Sequence, residues 1–108
     1  MNIVDNPSEF FKGLNEKERY ILLNWCKQFD EIQTINKRHS SYGLKHIFER
    51  SENGFYITNG MFKGAMEELN FKILKTNKNW NFNISEKSVK ELKKNNENDN
   101  KVFKVEDK

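Results

Sequence analysis

Residues 40–85 read SSYGLKHIFERSENGFYITNGMFKGAMEELNFKILKTNKNWNFNIS, and two hydrophobic periods divide them. Phe62, Ala65, Met66 and Leu69 fall at i, i+3, i+4 and i+7, which is one apolar stripe of a helix. After Asn70 the period drops to two. Phe71 and Ile73 flank Lys72, and Trp80, Phe82 and Ile84 alternate with Asn81 and Asn83. Such alternation marks half-buried strands. Helix, turn, helix and hairpin in this order predict an α+β fold, a small winged-helix-like domain whose helices are followed by a β-hairpin wing.

The neighbouring segments extend this core. Asn6, Pro7 and Glu9 have the spacing of a short helix start, and Gly13 stops it. Asn15 and Glu18 repeat the capping spacing, and a longer helix is expected from there to about Ile35, with Leu22, Trp25, Phe29 and Ile32 as its stripe. Ser40 or Ser41 can cap a helix that turns Leu44, Ile47 and Phe48 inward. Phe55, Tyr56 and Ile57 read as a short strand able to pair with the hairpin. Thr58 or Asn59 caps the next helix, and Asn70 suits a left-handed terminator. Gly60 and Gly64 cost helix stability, so their spacing points to close approach of another element. Ser85 can cap a last short helix carrying Val89 and Leu92. Residues 93–101, KKNNENDNK, offer no apolar face. One domain over residues 1–94 and a flexible polar tail over 95–108 is the expected division, with Val102, Phe103 and Val105 as a docking or strand segment at its end.

The 108 residues include nine Phe, three Tyr and two Trp, enough aromatic volume for one core. Cys26 is the only cysteine, so no internal disulfide forms, as expected in a reducing cytoplasm. No apolar stretch is long enough to span a membrane or act as a signal peptide. His39 and His46 lack the further ligands a metal site requires. No catalytic triad, phosphate-binding glycine loop or dinucleotide fingerprint is present, so the sequence carries no enzyme signal and implies no cofactor.

The net charge of +3 is unevenly placed. Residues 1–35 carry −2, residues 36–80 carry +4 and residues 81–108 carry +1. Lys37, Arg38, Lys45, Asn59, Lys63, Lys72, Lys75 and Lys78 are the candidate nucleic-acid-binding residues; Arg50 belongs to the same basic set. They lie in the connector, at helix starts and in the wing, where helix-turn-helix proteins grip phosphates. Asn59 is the best candidate for reading a base. Asn59, Lys63, Glu67 and Glu68 form the expected outward face of the second helix, and two glutamates there make a poor major-groove reader. That conflict leaves room for a protein partner, or for a protein–RNA complex, in place of duplex DNA.

The segments SYGLKHIFE, FYITNGMFKGAMEELNFK and NWNFNIS resemble a family of small proteins carried by phages and other bacterial mobile elements. The likeness covers about residues 36–86, and the flanks fall outside it. It implies a small cytoplasmic protein made inside a bacterial host. Proteins of this kind act as regulators, replication accessories or inhibitors of host defence, including anti-CRISPR proteins. Two functions are therefore expected: binding of nucleic acid or a ribonucleoprotein such as a CRISPR effector complex, or inhibition of a Cas effector through protein contacts or its guide RNA. No site residue is carried over from the family.

Overall fold

The computed structural model describes residues 5–106, with side chains described for residues 5–97. Its elements are α1 (Glu9–Lys12), α2 (Glu16–Cys26), β1 (Glu31–Asn36), α3 (Ser41–Glu49), α4 (Asn59–Glu68), β2 (Ile73–Leu74), β3 (Asn81–Ile84) and α5 (Glu86–Glu106). The three strands form an antiparallel sheet in the order β1-β3-β2. The class is α+β, as the change of hydrophobic period predicts.

Local chemistry sets most helix ends. Asn6 forms a turn before α1, accepting the Ser8 N–H on Oδ1 at 2.9 Å and the Glu9 N–H on its carbonyl at 3.0 Å. Asn15 and Glu18 exchange side-chain and backbone bonds at 2.8 and 2.9 Å, a capping box that starts α2. Thr58 Oγ1 accepts the Met61 N–H at 3.2 Å to start α4. Asn70 ends the turn after α4 with φ 64°, the left-handed conformation that asparagine tolerates better than most residues. Ser85 Oγ accepts the Ser88 N–H at 3.1 Å before α5.

Three expectations are corrected. The long helix expected to reach Ile35 ends at Cys26. Gln28 and Phe29 donate three residues back, to the Trp25 and Cys26 carbonyls, which tightens and closes the last turn. Residues 31–36 then pair with β3, Glu31 opposite Ile84 and Asn36 opposite Phe82. β-branched Ile32, Thr34 and Ile35 suit that strand, and Ile32 is exposed there instead of joining the core. The strand expected at Phe55–Ile57 does not form, and the sheet holds β1, β3 and β2 alone among the described residues. The Ile57 N–H goes instead to Glu49 Oε2 at 3.0 Å. Lastly, the helix expected after Ser85 to be short runs from Glu86 to Glu106. Asn96 Nδ2 donates to the Ile47 carbonyl at 3.1 Å, so the helix is tied to α3 at that residue. The expected docking of Val102, Phe103 and Val105 lies outside the residues whose side chains are described.

The core follows the sequence pattern closely. Phe62, Ala65 and Met66 are fully buried, and Leu69 packs at the margin. Trp25 meets Phe29 and Phe48 edge to face, with ring centroids 5.2 and 5.5 Å apart, and Phe62 meets Phe82 at 5.9 Å. Val89 and Leu92 close the core from α5. Asn83 departs from the alternation: it is buried although it occupies an expected outward position. The β1–β3 register breaks between Glu31 and Asn36. Asn83 fills the break, donating to the Ile32 carbonyl at 2.9 Å and accepting the Lys72 N–H at 2.8 Å. A buried amide is stable there because its donor and acceptor are both used.

Candidate nucleic-acid interface

The connector after β1 is lashed to the start of β3. Asn81 Nδ2 donates to the His39 carbonyl at 2.8 Å, the Ser41 N–H donates to the Trp80 carbonyl at 2.7 Å, and the Trp80 N–H donates to Ser41 Oγ at 3.1 Å. These bonds join the connector that carries Lys37 and Arg38 to the strand that follows the β2–β3 loop of Lys75 and Lys78, and the Arg38 charge also acts on Glu86, just past the other end of β3. Lys72 lies just before β2, paired with Asn83 on the adjacent strand. Lys37, Arg38, Lys72 and Lys78 are exposed and form no ion pair among the described residues. Lys75 is committed elsewhere in part. Its Nζ lies 2.9 Å from Glu67 Oε2 and 4.6 Å from the centroid of the Trp80 ring.

Three predicted residues do not reach this surface. Lys45 is buried beneath Tyr42 and Tyr56, with its Nζ 3.0 Å from Glu49 Oε2. Asn59 and Lys63, expected to face outward from α4, are 5% and 0% exposed. The residues before and within α1 cover them. Lys63 Nζ donates to the Asp5 carbonyl at 3.0 Å, and Asn59 Nδ2 donates to Asp5 Oδ1 at 3.0 Å and to Asn79 Oδ1 at 2.9 Å. Burial lowers the Lys63 pKa; the Asp5 charge opposes that shift and Lys78 adds to it. Gly60 and Gly64 make the coverage possible. A Cβ at Gly60 would strike the backbone of Asn6, and one at Gly64 would strike the Pro7 carbonyl and Phe10 Cβ. The two glycines were the one sequence signal for this contact, although they do not say which element approaches.

Glu49, which carried no sequence signal, joins α3 to the segment before α4. It accepts from the Ile57 N–H, Lys45 Nζ and His46 Nδ1 at 3.0, 3.0 and 2.9 Å. Burial by itself raises its pKa, but these three donors together hold it below 4.5. At Glu86 the His39 ring, then Asn36, lowers the pKa. Depressed carboxylate pKa values contribute stability above the unfolded-state value, and that contribution is lost as pH falls through the folded-state value. Stability should therefore decline from about pH 4.5 downward, and Glu49→Gln should flatten that decline in thermal melts taken across pH. A wild-type midpoint constant between pH 5 and pH 3 would contradict this role, since folded carboxylates titrate in or near that range.

Cys26 is fully buried, and burial pushes its thiol pKa up, so the thiolate is disfavoured. Among the described residues, no three potential metal ligands cluster, and no helix is long and apolar enough to cross a membrane. Tyr42 and Tyr56 form one exposed aromatic patch around Lys45, while Phe11 and Tyr20 are exposed on α1 and α2. A cavity of about 290 Å³ between α2, the end of α3 and α5 has Trp25, Phe48 and Leu92 in its floor and Asn24, Gln28 and Asn96 at its rim.

The chain matches no family model, no curated protein and no solved structure.

Proposed function

We propose that this is a non-enzymatic accessory or regulatory protein of the phage or mobile-element type, acting in the bacterial cytoplasm by binding nucleic acid or a nucleoprotein. One observation carries the reading. Lys37 and Arg38 are exposed in the connector and Lys78 is exposed in the β2–β3 loop, and hydrogen bonds tie the connector to the start of β3, directly after that loop. Such a set of charges suits a phosphate backbone, which is held by charge and positioned by several side chains together. The connectivity supports a winged-helix-like architecture: α2, β1, α3, α4, β2 and β3 follow in order, with β1 beside β3. The grip then belongs to the wing and connector, with the face of α4 closed.

The test is binding to duplex DNA, RNA and a host ribonucleoprotein across a salt series. Phosphate contacts make log affinity fall with log salt by about 0.9 per contact on a duplex. A flat salt profile would overturn the reading.

The exposed patch of Tyr42 and Tyr56 favours a second reading. Large exposed aromatics are the commonest anchors of protein interfaces. On that reading the protein inhibits host immunity by docking on a Cas effector in the anti-CRISPR manner. Tyr56→Ala would then abolish inhibition while leaving nucleic-acid binding unchanged.

A further inference from the structure

The face of α4 that a helix-turn-helix protein turns toward nucleic acid is closed in this chain by its own preceding segment. The closure is chemically uneven. Lys63 is fully buried, yet among the described residues its Nζ has one hydrogen bond, to the neutral Asp5 carbonyl, with the Trp80 ring centroid 4.8 Å away. An ammonium has three donors to satisfy. Asn59 is 5% exposed, and among the described residues its Oδ1 has no hydrogen-bond partner. Buried polar groups left short of partners cost stability, and apolar residues at 59 and 63 would seal a permanent contact better.

We propose that Asn59, Gly60, Lys63 and Gly64 form a second phosphate-backbone-binding surface, and that Asp5 occupies it in place of a nucleic-acid phosphate until the ligand displaces α1. The inference rests on the nucleic-acid reading above. Asp5 presents its backbone carbonyl 3.0 Å from Lys63 Nζ and its carboxylate Oδ1 3.0 Å from Asn59 Nδ2, and a phosphodiester offers two acceptor oxygens that carry charge besides. The two glycines remove the side chains that would keep a backbone away from the helix. The surface adjoins the wing, because Asn59 Nδ2 also lies 3.5 Å from the Lys78 carbonyl and 2.9 Å from Asn79 Oδ1. A strand gripped at Lys78 therefore runs onto it. The cover is small: α1 has four residues and ends at Gly13, too short to persist as a helix once detached. Phe10 is buried against Gly64, so opening has a cost, and affinity in the closed protein is reduced by the fraction that is open.

Hydrogen exchange of the wild-type protein, with and without saturating duplex DNA or single-stranded RNA, reads the displacement directly. Amides of Phe10, Phe11, Lys12 and Gly13 donate within this segment in the closed form. They should lose protection by about tenfold or more in the complex, as expected when a local unit opens. Unchanged or increased protection in the bound protein overturns the proposal. Asp5→Ala should tighten binding by about threefold or more, because the open fraction rises. Adding Lys63→Gln to Asp5→Ala should return that gain. A gain that survives Lys63→Gln, without loss of α1 protection, is a simple charge effect and rejects the surface. Salt-dependent wild-type binding with α1 still closed sinks this inference alone. Absence of binding to either nucleic acid at low salt sinks the wing reading with it.

Discussion

Replacing Phe62 by Ala should lower stability by about 3–5 kcal/mol, the usual cost of truncating a buried Phe. Phe62 is fully buried on α4 and meets Phe82 of β3 edge to face, so it joins the helical layer to the sheet. Ala65 and Met66 beside it are fully buried too, and a rigid, close-packed site collapses little around the space left behind. A domain of 108 residues has roughly 5–15 kcal/mol of total stability, so the variant would retain at best a fraction of it. The thermal midpoint should fall by at least about 12 °C, given roughly 4–8 °C per kcal/mol for domains of about this size. Denaturant melts of the variant and of Tyr56→Ala, an exposed control, give the comparison. A loss at Phe62 below about 1 kcal/mol, near the scale of surface changes, would show that α4 does not pack as described.

The second large effect is on binding. If Lys37, Arg38, Lys72 and Lys78 each meet a phosphate, affinity for duplex DNA should fall by about 150-fold between about 50 and 200 mM salt. Reversing Lys37, Arg38 and Lys78 together to Glu should remove most of that dependence, about 2.7 units of slope, and leave only weak binding at low salt. Lys75 is left out because a Glu there would face Glu67 and lose its place on the Trp80 ring, mixing a folding defect with a binding one. Lys17 and Lys27, exposed at the two ends of α2, and Lys90, exposed on α5, reversed together are the matching control for net charge. Equal losses in the two variants would mean that general charge, and not the connector and wing residues, governs affinity. No loss in either would remove the phosphate grip and leave Tyr42 and Tyr56 as the surface to pursue.

Much of the fold was legible because the signals are local. The i, i+3, i+4 spacing of Phe62, Ala65 and Met66 names a buried face whichever elements cover it. The Asn15–Glu18 capping box, the Thr58 cap and the left-handed Asn70 depend on neighbours within four residues, so the chain alone specifies them. β1 was hidden for the opposite reason. Its partners on β3 lie about fifty residues away, and Ile32 and Ile35 fit the helical stripe well enough to extend α2 on paper. Only pairing with Phe82 and Ile84 selects the strand.

The candidate site divides along the same line. The sequence by itself determined which residues are basic, that they gather between residues 36 and 80, and that Gly60 and Gly64 invite close contact. The tertiary structure decided which of those charges meet solvent. Lys37, Arg38 and Lys78 stay exposed, and Asn81 and Ser41 bind the connector that carries the first two to the start of β3. Lys63 and Asn59 disappear from the surface because residues more than fifty positions earlier fold over α4 and offer Asp5 to both. A side chain's charge is fixed by its chemistry, but its exposure depends on what packs above it, and here that packing comes from a distant part of the chain.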